Sequence, residues 1–370
     1  MSSGRPDAAA TILMTTDAVG GVWTYALSLC AALPQYRFVL AVMGPAPSPP
    51  QREAAAALPN VMMEERGYRL EWMGGAAADL APSRQWLESL ARRYGATLMH
   101  CNGFAHAHNA SGCPVIAVAH SDVLSWCAAV RDEGAPPCWG LYRREVIAGL
   151  AAADRVIAPT RAILDDLARQ YGFTGHRARV IPNGIDLSAF APRPKRQVVM
   201  AAGRLWDMAK NLALLDDIAD ELEWPVEIAG ESAHPESGVV RFGSARLLGV
   251  LSPGEMAERL GAAAVFAAPA RYEPFGLGIL EAAASGCALV LGDIPSLRET
   301  WQRAAFFVPP DDRAGWRDAL AALIADSDRR QRLATAARQR ALAFSRQAMA
   351  GRYAALYREL IGTGDRREVA

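Results

Sequence analysis

Short apolar runs alternate along the chain with longer stretches whose apolar positions recur at helical spacing. In the first half the runs read as strands over 11–17 (TILMTTD), 38–44 (FVLAVMG), 96–102 (ATLMHCN), 114–120 (PVIAVAH), 155–160 (RVIAPT) and 179–184 (RVIPNG). Helical patterns fill the gaps at 22–33, 84–95, 139–152 and 161–172. A Pro- and charge-rich stretch at 191–197 (APRPKRQ) reads as a linker. The alternation then restarts, with strands expected at 197–203, 225–230, 239–243, 264–270, 288–293 and 305–310. Beyond about 312 the pattern is helical, rich in Ala and Arg. Strand–helix alternation of this kind builds parallel sheets, so the fold class is α/β, with two doubly wound domains and ligands at the carboxyl ends of the strands.

The length of 370 residues agrees with two domains. The expected division is 1–190, 191–345 and a terminal helix, 346–370, that packs back on the first domain. Hydrophobic residues make up 51% and charged residues 21%, which excludes a disordered chain. Thirty-nine cationic and 39 anionic side chains cancel, which argues against a non-specific nucleic-acid binder. No apolar run approaches the roughly 20 residues that span a bilayer. The N-terminus meets Asp7 too soon to read as a signal peptide. Six scattered cysteines without a CxxC pair read as reduced thiols, so the expected location is cytoplasmic.

Candidate chemistry concentrates in 268–293, APARYEPFGLGILEAAASGCALVLGD. A strand ends near Pro269, a polar turn carries Glu273, and Phe275-Gly276-Leu277-Gly278 opens a helix that holds Glu281. Helix starts have unpaired N–H groups and bind anions, and glycines there let a ligand approach the backbone. The two carboxylates, eight residues apart, can accept hydrogen bonds from sugar hydroxyls; an ordinary helix-start Glu and an ordinary helical Glu explain the same letters. The junction at 201–211, AAGRLWDMAKN, adds Arg204 and Lys210, a guanidinium and an ammonium suited to a pair of phosphates. Only Lys195 and Lys210 are lysines in a chain that otherwise uses Arg. Lys195 reads as a solvated linker residue.

The block RYEPFGLGILEAAASGCALVLGDIPSLRE resembles the E-x7-E signature of the retaining glycosyltransferases of family 4, which have the two-domain GT-B fold. GRLWDMAKN is similar to that family's GR-K-N donor-phosphate motif, and VIPNGID to its V-P-N-G-V-D segment. The resemblance spans nearly the whole chain and makes the first domain the acceptor side and the second the donor side. It implies that Arg204 and Lys210 bind the nucleotide diphosphate and stabilise it as it leaves. Glu273 would contact the donor-sugar hydroxyls, and Glu281 the ribose. The backbone around Pro274, Phe275, Gly276 and Leu277 would cover sugar and phosphate. Gly20 and Gly21 would let a loop approach the phosphates or the acceptor, and His120 would contact the sugar near its reacting carbon. Transfer would proceed with retention, the leaving phosphate helping to deprotonate the acceptor, without metal or other cofactor. Closure of the two domains on the donor is expected.

Several further features carry a bland alternative. Cys101, His106, His108 and Cys113 match no usual zinc spacing; His106 and His108 either line an acceptor pocket or are ordinary loop residues. Asp326-Ser327-Asp328 spells DxD but precedes a helix and reads as its cap. The 83–95 helix, with Trp86, Leu87, Leu90, Arg92 and Arg93, leaves peripheral contact at the inner membrane face open, although packing on the sheet explains it as well. A nucleotide-sugar 2-epimerase of the same fold and a non-catalytic sugar-nucleotide-binding subunit are the alternatives to a transferase. A nicotinamide dehydrogenase is disfavoured, because DAVGGVW is not GxGxxG and no acidic residue ends the second strand.

Overall fold

The computed structural model describes residues 10–234 and 238–364. Contacts divide the described chain into two units, one of residues 10–125, 133–182 and 346–364, the other of 126–132 and 183–345. The break after Pro182 falls ahead of the 191–197 stretch. That stretch is docked on the second unit: Arg193 N donates to the Gly261 carbonyl at 3.0 Å, and Lys195 Nζ to the carbonyls of Gly261 and Ser285, each at 2.8 Å. Lys195 is exposed, as its position suggests, yet its amine is not free. It satisfies carbonyls at the ends of the helices Pro253–Ala262 and Leu277–Ala284, where a cation is favoured.

The first unit is built on β1 (Thr11–Asp17), β2 (Arg37–Met43), β3 (Val61–Glu65), β4 (Leu98–Cys101), β5 (Val115–Val118), β6 (Arg155–Ala158) and β7 (Ala178–Val180). They form one parallel sheet in the order β3-β2-β1-β4-β5-β6-β7. The strand order reverses between β1 and β4, which places the ligand-favouring crevice of such sheets beyond their carboxyl ends. Strand β3 was not anticipated, because VMMEE at a half-exposed sheet edge lacks the apolar run of the central strands. One face is covered by the helix Gly21–Ala32 and the terminal helix Arg346–Gly364. Met349, Tyr353, Tyr357 and Leu360 of the terminal helix pack against Ile12, Met14, Tyr25 and Leu29.

The second unit uses β8 (Arg196–Ala202), β9 (Val226–Ala229), β10 (Ala233–His234), β11 (Gly238–Val239), β12 (Arg246–Gly249), β13 (Ala263–Ala268), β14 (Ala288–Gly292) and β15 (Phe306–Val308). Strands β10 and β11 make a short antiparallel ribbon; the others form a parallel sheet in the order β12-β9-β8-β13-β14-β15. Here the order reverses between β8 and β13. The strand expected at 239–243 is instead β12 at 246–249. The loop ahead of it is held by Asp216, whose carboxylate accepts from Gly243 N, Ser244 N and Ala245 N at 2.7–2.9 Å. One sheet face buries Trp316, Leu320 and Leu323 against Val199, Val226 and Val265, and the other buries Phe275, Leu280 and Trp301 against Val198, Phe266 and Leu289.

Candidate donor and sugar sites in the two units

In the second unit Arg204 follows β8 and Glu273 follows β13, so the two motif loops flank the strand-order reversal. Backbone bonds join the loops: Arg271 N donates to the Ala209 carbonyl at 2.8 Å, with Tyr272 N at 3.4 Å from the same oxygen. Arg271 also donates to the Met208 carbonyl at 3.2 Å. Across this seam Lys210 Nζ pairs with Glu273 Oε2 at 2.5 Å, both side chains largely buried. The Glu273 backbone is fixed from the far side by Ser296 Oγ, which donates to its carbonyl at 2.5 Å.

Arg204 keeps about half its side-chain surface (47%), so its guanidinium remains open to a ligand. It donates to Asp207 Oδ2 at 2.6 Å, and its guanidinium carbon lies 5.1 Å from the centre of the Trp206 ring. Asp207, a residue the sequence reading did not single out, is buried and also accepts from Ala209 N at 3.0 Å. Burial works to raise its carboxyl, but Arg204, Lys210 and the Ala209 amide hold it below the usual range. Asn211 is buried in the left-handed region (φ 54°) and its amide nitrogen donates to the carbonyls of Pro269 (3.1 Å) and Pro310 (2.8 Å). One side chain thus ties together the loops after β8, β13 and β15. Its place in the GR-K-N pattern was the signal available.

Gly276 caps the helix Leu277–Ala284 at φ 84°, ψ 68°, and a Cβ there would lie 2.7 Å from Ile279 Cδ1, so only glycine fits without displacement. Phe275 turns its ring into the core, edge-on to Phe344 at 5.5 Å, which leaves its backbone as the part able to meet a ligand. Glu281 stands in the next turn. Burial pushes its carboxyl up to about 7, and the side chain makes no hydrogen bond or ion pair among the described residues.

In the first unit Gly20 and Gly21 follow β1 and are exposed. Gly20 takes φ 74°, ψ −148°, a conformation that side chains resist, and the helix from Gly21 starts with free amides. His120 lies two residues past β5, with Nε2 2.9 Å from Asn102 Oδ1; burial lowers it to about 4. His106 does not line a pocket. It is buried against Ser83 Oγ at 3.0 Å, whereas His108 is exposed. Cys101 is buried in β4 and Cys113 Sγ donates to Ser111 Oγ at 3.4 Å; among the described residues no three His, Cys, Asp or Glu side chains form a metal-holding group. Asp326 is the N-cap of the helix Ser327–Ala341, accepting from Arg329 N at 2.8 Å. In the helix Leu80–Tyr94, Leu87 and Leu90 are buried and the half-buried Trp86 meets the Tyr68 ring at 5.9 Å. No helix among the described residues is long and apolar enough to cross a membrane.

Residues 19–189 match the profile of Glycosyltransferase Family 4, and residues 196–326 that of Glycosyl transferases group 1. The chain belongs to the family 4 glycosyltransferases. It is 29% identical to the D-inositol 3-phosphate glycosyltransferase of Kineococcus radiotolerans, over 67% of this chain and 66% of that protein. Against D-inositol 3-phosphate glycosyltransferase 1 of Catenulispora acidiphila it is 28% identical, over 85% and 80%. Among solved structures, sucrose-phosphate synthase from Thermosynechococcus elongatus superposes with a TM-score of 0.76 at 19% identity, covering 96% of this chain and 100% of that one. The Anabaena HepE protein in complex with UDP-glucose gives 0.75 at 18%, covering 95% and 100%. This glycosyltransferase therefore has the GT-B fold, two parallel-sheet Rossmann-like domains.

Proposed function

We propose that the protein transfers a sugar, with retention, from a UDP- or GDP-sugar to a hydroxyl of a glycan, glycolipid or small-molecule acceptor, without a metal ion. The observation that carries this reading is the Lys210–Glu273 pair at 2.5 Å, set beside Arg204 where the strand order reverses. Two chain cations there suit a diphosphate, and a carboxylate among them suits the hydroxyls of the attached sugar. Arg204 and Lys210 would bind the diphosphate and stabilise the charge that grows as its bond to the sugar carbon breaks. The amides around Pro274, Phe275, Gly276 and Leu277 would lie along phosphate and sugar, and Glu281 would take the ribose hydroxyls. In the first unit, His120 would contact the sugar, and the Gly20–Gly21 amides the phosphates or the acceptor.

In the step itself the sugar carbon parts from the phosphate oxygen and bonds the acceptor oxygen on the same face. The acceptor's proton passes to the departing phosphate. Positioning and electrostatics then supply the rate, and no side-chain nucleophile is required. The test is incubation with labelled UDP- and GDP-sugars and a panel of polyol and glycan acceptors, with inositol 3-phosphate included because of the relatives' names. Transfer or slow donor hydrolysis in the presence of a chelator is expected. Isomerisation at the sugar's second carbon would replace the reading with the epimerase, and tight binding without turnover would replace it with the non-catalytic subunit.

A further inference from the structure

The first unit contains a hydrogen-bond chain that decides where His120 carries its proton. Asn102, the residue after β4, is oriented by β1: its backbone N–H donates to Thr15 Oγ1 at 2.9 Å, and its side-chain Nδ2 to the Thr15 carbonyl at 2.8 Å. A carbonyl can only accept, so Nδ2 is the donor and Oδ1 is left as a pure acceptor. Two imidazoles converge on that oxygen, His120 Nε2 at 2.9 Å and His100 Nε2 at 3.1 Å. Each ring must therefore carry hydrogen on Nε2, and the Tyr25 hydroxyl oxygen, 3.3 Å from His100 Nε2, is then an acceptor there.

The assignment propagates in both directions. His100 Nδ1 becomes a lone pair, and the Tyr357 hydroxyl, on the terminal helix, donates to it at 2.6 Å. His120 Nδ1 likewise becomes a bare acceptor. The titratable groups around the two rings are neutral: Tyr25 lies edge-on to His120 at 4.5 Å, and Tyr353 and Tyr357 flank His100 at 5.3 and 6.0 Å. No carboxylate hydrogen-bonds either ring among the described residues. Burial holds His100 down at about 3 and His120 at about 4, so both are neutral near pH 7.

We propose that Asn102 is a positioning residue that fixes His120 in the Nε2–H form, so that the ring offers Nδ1 to its ligand as a hydrogen-bond acceptor. An acceptor nitrogen recognises a hydroxyl and repels a phosphate oxygen, which has no hydrogen to give. His120 thus reads a sugar hydroxyl of the donor and discriminates against a diphosphate placed at that point. The ligand class rests on the transferase reading above; the proton position does not.

The test is nitrogen-15 NMR of histidine-labelled full-length protein near pH 7, with His120→Gln identifying the His120 signals. The expected result is a proton on Nε2 and none on Nδ1. In Asn102→Ala the two forms should mix, and kcat/KM for the nucleotide sugar should fall about tenfold or more, the loss from one misdirected hydrogen bond. Asn102→Asp keeps an acceptor oxygen but adds charge, so the acid limb of the pH–rate profile should move toward neutrality, a shift that lost packing alone does not produce. A wild-type His120 protonated on Nδ1, or on both nitrogens, overturns the proposal, as does an Asn102→Ala protein whose His120 keeps the Nε2–H form. If Asn102→Ala does not fold, the wild-type spectrum still decides. An Nε2–H ring in a protein inactive on every nucleotide sugar would refute the ligand class and leave the positioning role standing.

Discussion

Replacing Glu281 with Gln should make the protein more stable and less able to bind its donor. In the folded chain burial raises the Glu281 carboxyl from the ordinary 4.5 to about 7. At about 1.4 kcal/mol per pH unit, its ionisation costs up to about 3 kcal/mol more in the folded chain than in the unfolded one. The remaining solvent contact of the side chain makes this an upper figure. A carboxyl raised in this way binds its proton more tightly folded than unfolded, so stability falls as pH rises from 4.5 to about 7 and is level above that. Glu281→Gln, matched in size and uncharged, removes the penalty. Melting followed by circular dichroism at pH 8 should show the variant higher by several degrees, about 2–4 °C per kcal/mol for a unit of this size, with the gap closing near pH 4.5. Hydroxyls that donate to the carboxylate favour its charged form, so binding of a nucleotide sugar should release protons near and just below pH 7, where the free carboxyl still holds its proton. Calorimetry in two buffers of different ionisation enthalpy reads that release. An equal gain at both pH values, or none at pH 8, would show that Glu281 is not a buried charge. Undiminished donor affinity in the variant would show that it is not a ribose ligand.

The other site residues make distinct predictions. Arg204→Ala and Lys210→Ala should each lower kcat/KM for the donor by about 10²–10³-fold, the scale of one lost charge-stabilising group, while circular dichroism stays native. Lys210→Ala also strands Glu273, largely buried; the double variant Lys210→Met/Glu273→Gln should recover the lost melting temperature but not the activity. Asn211→Ala removes two hydrogen bonds to loop carbonyls and leaves alanine at φ 54°, so it should lower unfolding free energy by about 2 kcal/mol and raise donor KM. Prolonged dialysis against a chelator should leave transfer rates unchanged, and restoration by added Mg²⁺ or Mn²⁺ would refute metal independence.

What the letters disclosed follows from how each feature is encoded. The central strands of both sheets, such as FVLAVMG and ALVLGD, are buried on both faces and read as unbroken apolar runs. Edge strands have one partner and one wet side; hence VMMEE at 61–65 escaped notice, and RLLG at 246–249 was displaced toward the more apolar VVRFG. Arg204, Lys210, Glu273 and Glu281 were legible because short local spacings carry them. Asp207 was not, since an Asp two residues after Leu205 looks like any turn residue until burial and the Arg204 guanidinium give it a task. Lys195 shows the converse: a charge in a Pro-rich stretch looks solvated, and only the folded chain reveals two carbonyls waiting for it. The same reason hid Asn102. Its work is to join Thr15, His100 and His120, residues from three strands or their ends, and through His100 it reaches Tyr357, which the chain supplies 255 residues later. A hydrogen bond spanning that distance leaves no trace in spacing or periodicity. The candidate ligand residues sit in motifs, while those that would decide how they act are assembled by topology, and the terminal helix joins the support behind His100 and His120 through one hydroxyl.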